Sequence, residues 1–363
     1  MVMKLIKKLS GAILLASLFC AMPAAAQEEG LYISEYSFTP GGEVDYFTIG
    51  LENGAYDDYT AFQFDLVLPP GLELAFDEDI PDCMVNTKGY LCRTHNLEVS
   101  VNDGYIRFIC LSLTSKTFSK TSGNLIDIGV VPTPYLKPGN IDIKLVNVKF
   151  ARKIEEYGFK ADELVLGGLT AEAESTLPVK VSSANKYSTI VFPFDLDEIP
   201  TGLEVYSCNS TNGENLLLTK QNNAKAYTPY ILYAENGFEG TLSGIVDASK
   251  YSETVTSGYL SGAVTAQEIT GGNGCYVMQN KGSGVMFYRV DDTSFAIPAG
   301  KCWLTLPAEL QGSTAFRLDG TTAIHEVKGE STESTVVFDL QGRRVENPTN
   351  GIYIFDGKKR IAK

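Results

Sequence analysis

Apolar and polar side chains alternate from Thr60 to Leu68. Phe62, Phe64, Leu66 and Leu68 occupy every second position, and Gln63 and Asp65 take the opposite face. A period of two is that of a strand with one buried side, and Pro69-Pro70-Gly71 stops it. The same alternation runs through Val44 to Leu51, Tyr105 to Leu111, Leu125 to Val131 and Ile141 to Phe150, with a shorter piece at Tyr36 to Phe38. Turn-forming runs stand between them: Pro40-Gly41-Gly42, Asn102-Asp103-Gly104, Ser122-Gly123-Asn124 and Lys137-Pro138-Gly139-Asn140. Strands at spacings of about ten residues, separated by such turns, predict a β-sandwich over residues 27–170.

Beyond it the pattern predicts a linker at 171–178, where small residues mix with acidic and hydroxylic ones, and a second β-rich domain over 179–320. Tyr187 to Leu196 and Ile199 to Tyr206 read as strand, turn, strand; Ala226 to Tyr233 and Ile297 to Pro307 share a Pro-led turn entering an aromatic strand. A β tail closes the described pattern at 330–363, with Val336 to Val345, a polar loop, Gly351 to Phe355 and a further piece at Asp356 to Ile361. The fold class expected is all-β, and the one helical expectation after the leader is a turn or two around Arg152 to Tyr157.

The first 26 residues change the picture of where the protein acts. Lys4, Lys7 and Lys8 precede an apolar run from Ile13 to Met22 and then Ala24-Ala25-Ala26, the layout of a secretory signal peptide whose apolar core is too short to span a bilayer. A lipid anchor on Cys20 is the weaker alternative, because Phe19 and Ser17 do not suit that signal. No later stretch reaches the roughly 20 apolar residues of a spanning helix, so no membrane insertion is expected. Net charge is −14, and loss of the leader's lysines leaves the remainder more acidic still. That balance argues against nucleic acid and anionic membrane as partners.

In an oxidising compartment the cysteines invite pairing. Cys83 and Cys92 close a short polar loop and are the candidate disulfide, while Cys110 and Cys302 sit inside strands and read equally well as small core residues. With no CxxC and only 2 histidines, a zinc site is not expected.

No constellation carries a reaction. Asp57 with Asp58 and Asp77 with Asp79 are near-neighbour carboxylates in a chain of 44 acidic residues, better read as solvated loops than as the two opposed groups of a glycosidase. His95 lies in the cysteine loop and His325 before the tail, neither beside a nucleophile. Lys281-Gly282-Ser283-Gly284 lacks the first glycine of a nucleophile elbow, and Gly271-Gly272-Asn273-Gly274 precedes a strand, leaving no helix end to hold phosphate. Calcium held by Glu28, Glu29, Asp77, Glu78 and Asp79 stays open, although no EF-hand loop is present. Tyr56, Tyr59 and Tyr90 lie in loops, where an exposed ring can stack on a sugar face. They are the candidate ligand-binding residues; catalytic residues are none.

The order Pro-Gly-Gly-Glu-Val, Ile-Gly-Leu-Glu-Asn, Phe-Gln-Phe-Asp-Leu-Val-Leu-Pro-Pro-Gly-Leu-Glu-Leu, Gly-Tyr-Ile-Arg-Phe, Ser-Gly-Asn-Leu-Ile-Asp-Ile-Gly and Pro-Gly-Asn-Ile-Asp-Ile-Lys-Leu resembles the cohesin domain and its carbohydrate-binding-module relatives. That resemblance implies a jelly-roll-like sandwich that binds a protein or a polysaccharide and is not catalytic. The second region resembles a β module of surface proteins from gut-type Gram-negative anaerobes. In the tail, Asp339-Leu340-Gln341-Gly342-Arg343 followed by Gly351-Ile352-Tyr353-Ile354 resembles part of a type IX secretion sorting domain. The expectation is an exported, cell-surface or extracellular, non-catalytic protein that binds carbohydrate or acts in adhesion. A cohesin-type protein scaffold is the alternative, and an accessory subunit of a glycan-active enzyme a further one. The expected partners are polysaccharide or a surface protein.

Overall fold

The computed structural model describes residues 29–77, 83–154, 157–272, 274–282, 284–290 and 293–318, and the strand backbone of the tail at 337–338, 344–345, 351–355 and 358–362. The leader at 1–26, His325 and the Asp339 to Arg343 motif lie outside the described residues.

Eleven strands build the first sandwich: β1 Gly30–Ile33, β2 Tyr36–Phe38, β3 Asp45–Glu52, β4 Tyr59–Val67, β5 Leu72–Leu74, β6 Val85–Asn86, β7 Asn96–Asn102, β8 Tyr105–Leu111, β9 Gly123–Pro132, β10 Gly139–Arg152 and β11 Tyr157–Ala171. One sheet runs β1-β3-β9-β5 with β6 also on β9, and the other runs β2-β11-β10-β4-β8-β7. All pairs are antiparallel except β2 with β11. Where a helical turn was expected around Arg152, β10 instead runs to that residue and β11 starts at Tyr157. Lys160, Asp162 and Glu163 of β11 sit on an exposed strand that pairs with β10.

The alternation of β4 does what period two demands. Phe62, Phe64 and Leu66 are fully buried between the sheets, with the Phe62 and Phe64 rings stacked at 5.5 Å. Asp65, on the opposite face, is covered all the same: Arg107 grips its carboxylate through Nε at 2.6 Å and Nη2 at 2.7 Å, and Asn147 donates to it at 2.7 Å. Asn147 reaches that position at a register shift in β10, with a φ of 55°, in the left-handed region that Asn adopts more readily than most residues,. The Arg107 hydrogen bonds hold the Asp65 carboxyl below the usual carboxylate range, against the opposing effect of burial.

The second sandwich comprises β12 Glu174–Val181, β13 Tyr187–Val191, β14 Glu204–Asn212, β15 Asn215–Gln221, β16 Pro229–Tyr233, β17 Phe238–Ile245, β18 Thr254–Ser257, β19 Leu260–Ala263, β20 Gln267–Thr270, β21 Cys275–Asn280, β22 Val285–Arg289, β23 Ser294–Ile297, β24 Cys302–Thr305 and β25 Ala315–Leu318. Ten of them form one sheet, β13-β16-β14-β15-β25-β22-β21-β24-β19-β18, and β12-β17 and β20-β23 form two ribbons.

The expected linker is therefore corrected. Residues from Glu174 onward belong to β12, which pairs with β17 along its whole length and buries Leu177, Val179 and Val181. Pro178 is tolerated there because β12 has a single neighbour, so its missing N–H faces no partner strand,.

The two sandwiches meet in a tight seam. Tyr135, in the loop between β9 and β10, is packed in the hydrophobic cluster of the second sandwich with Val191, Phe192, Tyr227 and Tyr230. Ser175 Oγ donates to the Pro134 carbonyl at 2.9 Å, and Thr176 Oγ1 to the Gly41 carbonyl at 2.9 Å. Gly300 is needed at this seam: a Cβ there would lie 1.9 Å from the Tyr135 hydroxyl,. Separately, in the tail, β26 Val337–Phe338, β27 Arg344–Val345, β28 Gly351–Phe355 and β29 Lys358–Ala362 form an antiparallel sheet in the order β27-β26-β28-β29.

Candidate functional site

The outer face of the smaller sheet carries a cluster of ring and polar groups. In β3, Phe47, Ile49 and Leu51 point into the core, which turns Tyr46, Thr48 and Gly50 outward; in β1, Leu31 and Ile33 are buried and Tyr32 faces out. The ladder then aligns these positions across strands: Tyr32 with Gly50 and Gly50 with Asn124, Thr48 with Asp127, Asp127 with Asn86, and Tyr46 with Gly129.

Asp127 is the polar centre. Its carboxylate accepts from Thr48 Oγ1 at 2.6 Å and from the Tyr90 hydroxyl at 2.7 Å. Beside it the Tyr32 hydroxyl donates to Asn124 Oδ1 at 2.7 Å. Burial and then the Asp127 carboxylate push the Tyr90 phenol upward, so it remains a protonated donor at neutral pH,. The Tyr32 ring lies flat over Gly50, whose Cβ would stand 2.2 Å from that ring. Only glycine leaves room for a tyrosine to lie along the sheet here. Tyr46, at the other end, is 42 % exposed and borders a hollow of about 460 Å³ shared with Asp77, Met84, Asn86 and Asp127.

The three tyrosines expected as ligand contacts fare differently. Tyr90 belongs to this cluster. Tyr56 stands elsewhere and is partly exposed, but the Arg152 guanidinium covers its ring at 3.9 Å and is itself held by Asp58 at 2.9 and 3.3 Å. Tyr59 is a correction: it is 1 % exposed, donates to Glu29 Oε1 at 2.7 Å and accepts from the Phe159 N–H at 2.9 Å. The register shift between Ala151 and Arg152 opposite Ala61 and Tyr59 changes which face of β4 is inward, so Tyr59 enters the core out of phase with Phe62.

Tyr32 and Tyr46 are not among the loop tyrosines singled out by sequence, because both stand in strands. Their phase relative to Leu31, Ile33, Phe47 and Ile49 was the signal that places them outside.

The Cys83–Cys92 bond is also corrected. Cys83 forms an isolated bridge with Phe76 near β6, whereas Cys92 is fully buried and its thiol donates to the Leu125 carbonyl at 3.2 Å. The turn before β7 tucks inward because the Leu91 N–H is held by the Asn124 carbonyl at 3.0 Å. Cys110 and Cys302 are buried in their strands.

Of the calcium candidates, Glu29 Oε1 is engaged by Tyr59 and by the Ala55 N–H at 3.1 Å, Asp77 lines the hollow, and Glu28, Glu78 and Asp79 lie outside the described residues. Among the described residues no group of three or more His, Cys, Asp or Glu side chains is placed to hold a metal ion, and no helix is long and apolar enough to cross a membrane. A larger hollow of about 590 Å³ in the second sandwich is bordered by Glu204, Lys220, Tyr233 and Glu235. Two of its carboxylates are committed: Glu204 to Lys220 at 3.1 Å and to Tyr206, and Glu235 to Lys186 and Tyr233.

No protein-family model matches the chain, and no curated protein matches it significantly in sequence. Among solved structures it is similar to a type I cohesin in a cohesin–dockerin complex, Coh-OlpC-Doc435, from Clostridium thermocellum, at 12% identity and a TM-score of 0.30, over 39% of this chain and 94% of that one. It is also similar to a type III cohesin module of the ScaE cell-surface anchoring scaffoldin of Ruminococcus flavefaciens, at 16% identity and a TM-score of 0.32, over 40% of this chain and 87% of that one. The full-length major pilin SpaD of Corynebacterium diphtheriae matches at 14% identity and a TM-score of 0.26, over 58% of this chain and 51% of that one.

Proposed function

We propose that this chain is an exported, non-catalytic binding protein that holds a carbohydrate on the outer face of the β1-β3-β9-β5 sheet. The observation that supports this reading is the grouping of Tyr32, Tyr46 and Tyr90 around the Asp127 carboxylate, with glycine beneath the Tyr32 ring. Rings offer flat apolar surface to the C–H face of a pyranose, and a carboxylate with neighbouring amides accepts and donates to its hydroxyls. Rigid strands hold the groups in place, so little conformational freedom is lost on binding.

A glycan array followed by calorimetry on each hit tests it. Saturable binding should weaken about tenfold in Tyr46→Ala, a stacking loss of about 1.4 kcal/mol, and more in Asp127→Ala. Binding that survives both substitutions, or no glycan binding beside specific capture of a surface protein by the same face, would turn the reading to the protein-scaffold alternative.

A further inference from the structure

We propose that the hollow beside Lys301 in the second sandwich binds a carboxylate that carries a short apolar group, the chemistry of an aliphatic acid or of the C-terminal residue of a polypeptide. The hollow exists because the sheet parts there. β21 pairs with β24 only through Cys275 and Tyr276, so Val277 to Asn280 run on beside β22 alone, and β13 pairs with β16 alone. The gap between these edges has a volume of about 300 Å³, enough for a small ligand,. Val277, Met278, Val285 and Ile297 give it an apolar wall, and Lys301 is its one charged lining residue. The hollows bordered by Asp127 and by Glu204 carry carboxylates, whereas this one has none.

The backbone fixes Lys301 before any ligand arrives. Its N–H closes a turn onto the Pro298 carbonyl at 3.2 Å, with Gly300 at a φ of 73°, and the next N–H, of Cys302, donates to Thr189 Oγ1 at 3.0 Å,. The ammonium then donates to Ser188 Oγ at 3.2 Å and to the Thr189 carbonyl at 3.3 Å. Both acceptors are neutral, a third N–H is left over, and no carboxylate among the described residues pairs with it,. Packing against β13 strips water from the ammonium and lowers its pKa, so a carboxylate arriving there supplies the counter-charge that the fold does not. A second donor stands at the other end of the hollow. Asn280 Nδ2 donates to Asn185 Oδ1 at 2.9 Å, and its own Oδ1 accepts from the Gly282 N–H at 3.0 Å, which leaves the Asn185 amide N–H groups for a ligand.

The test is saturation-transfer NMR on the full chain with four probes: butyrate, butyramide, and an acetylated tripeptide ending in valine as its free acid and as its amide. Both acids should give saturable signals and both amides none. Lys301→Gln should weaken the acids about tenfold or more, and Lys301→Arg should retain most of the binding. Tighter binding of the peptide acid than of butyrate assigns the site to a polypeptide terminus, and the reverse order to a free acid. Equal signals from acids and amides, or no saturable signal from either acid, would overturn the proposal. Those outcomes are read on the unsubstituted chain and depend on no variant folding. The glycan titrations probe the other sandwich, so failure of one proposal leaves the other standing.

Discussion

The phenolic hydroxyl of Tyr135 donates to the carbonyl of Val191 at 2.8 Å, across the seam between the two sandwiches. A residue of the first sandwich thus completes the core of the second. Tyr135→Phe leaves the Val191 carbonyl without that donor and should cost about 1–2 kcal/mol. Tyr135→Ala also opens a cavity and should cost about 3–5 kcal/mol, as for other buried rings. Calorimetry should show one transition for the parent and two for Tyr135→Ala. A single unshifted transition in Tyr135→Ala would show that the seam contributes nothing.

Gly50 controls how Tyr32 lies on the sheet. Gly50→Ala places a methyl where the ring now rests, so the ring must lift and its bond to Asn124 must break. Glycan affinity should fall about tenfold while Tm moves little, since the site faces solvent. Parallel titrations of Gly50→Ala and Tyr32→Ala check this, and equal losses are expected.

Two groups of the first sandwich contribute to stability in acid, in separate windows. Burial lowers the pKa of His95, whose Nε2 lies 3.1 Å from the Lys116 carbonyl. The unfolded chain binds that proton more readily, so stability contributed by neutral His95 begins to fall as pH drops below about 6.5. Asp65 is held low by Arg107. Its contribution is intact above about 3.9 and is lost as pH falls from there through its folded value. Urea midpoints measured against pH should lose the upper step in His95→Gln and show a smaller lower step in Asp65→Asn.

Inserting a Gly-Ser pair between Glu172 and Ala173 tests the corrected boundary. A free linker would absorb it, but the Glu172 N–H bonds to the Phe38 carbonyl at 2.9 Å and the Val246 N–H to the Ala173 carbonyl at 2.8 Å. The insertion should lower Tm and split the calorimetric transition.

Much of the first sandwich was legible because its strands have one wet and one dry face. The Tyr105 to Leu111 strand matches its expected bounds, and Ile141 to Phe150 lies within β10. β11 was not legible: Lys160, Asp162, Glu163 and two adjacent glycines lie along it and much of it faces solvent, so no alternation marks it. β12 was masked by Pro178 and by Glu172 and Glu174, although Leu177, Val179 and Val181 carry the period. At the candidate site, Tyr90 could be named from its loop. Tyr59 could not be excluded, because the bulge that turns it inward is set by β10, far away in sequence.

The parallel pairing of Tyr36–Phe38 with Leu169–Ala171 has a consequence for the order of events during synthesis. A strand near the start of the chain finds its partner only after the last strand of the same sandwich has emerged, so this sheet edge closes late. Until then β2 has no strand to pair with, although β1 just before it already has β3. A chain handed to an export channel while still growing would pass through before the sheet could shut.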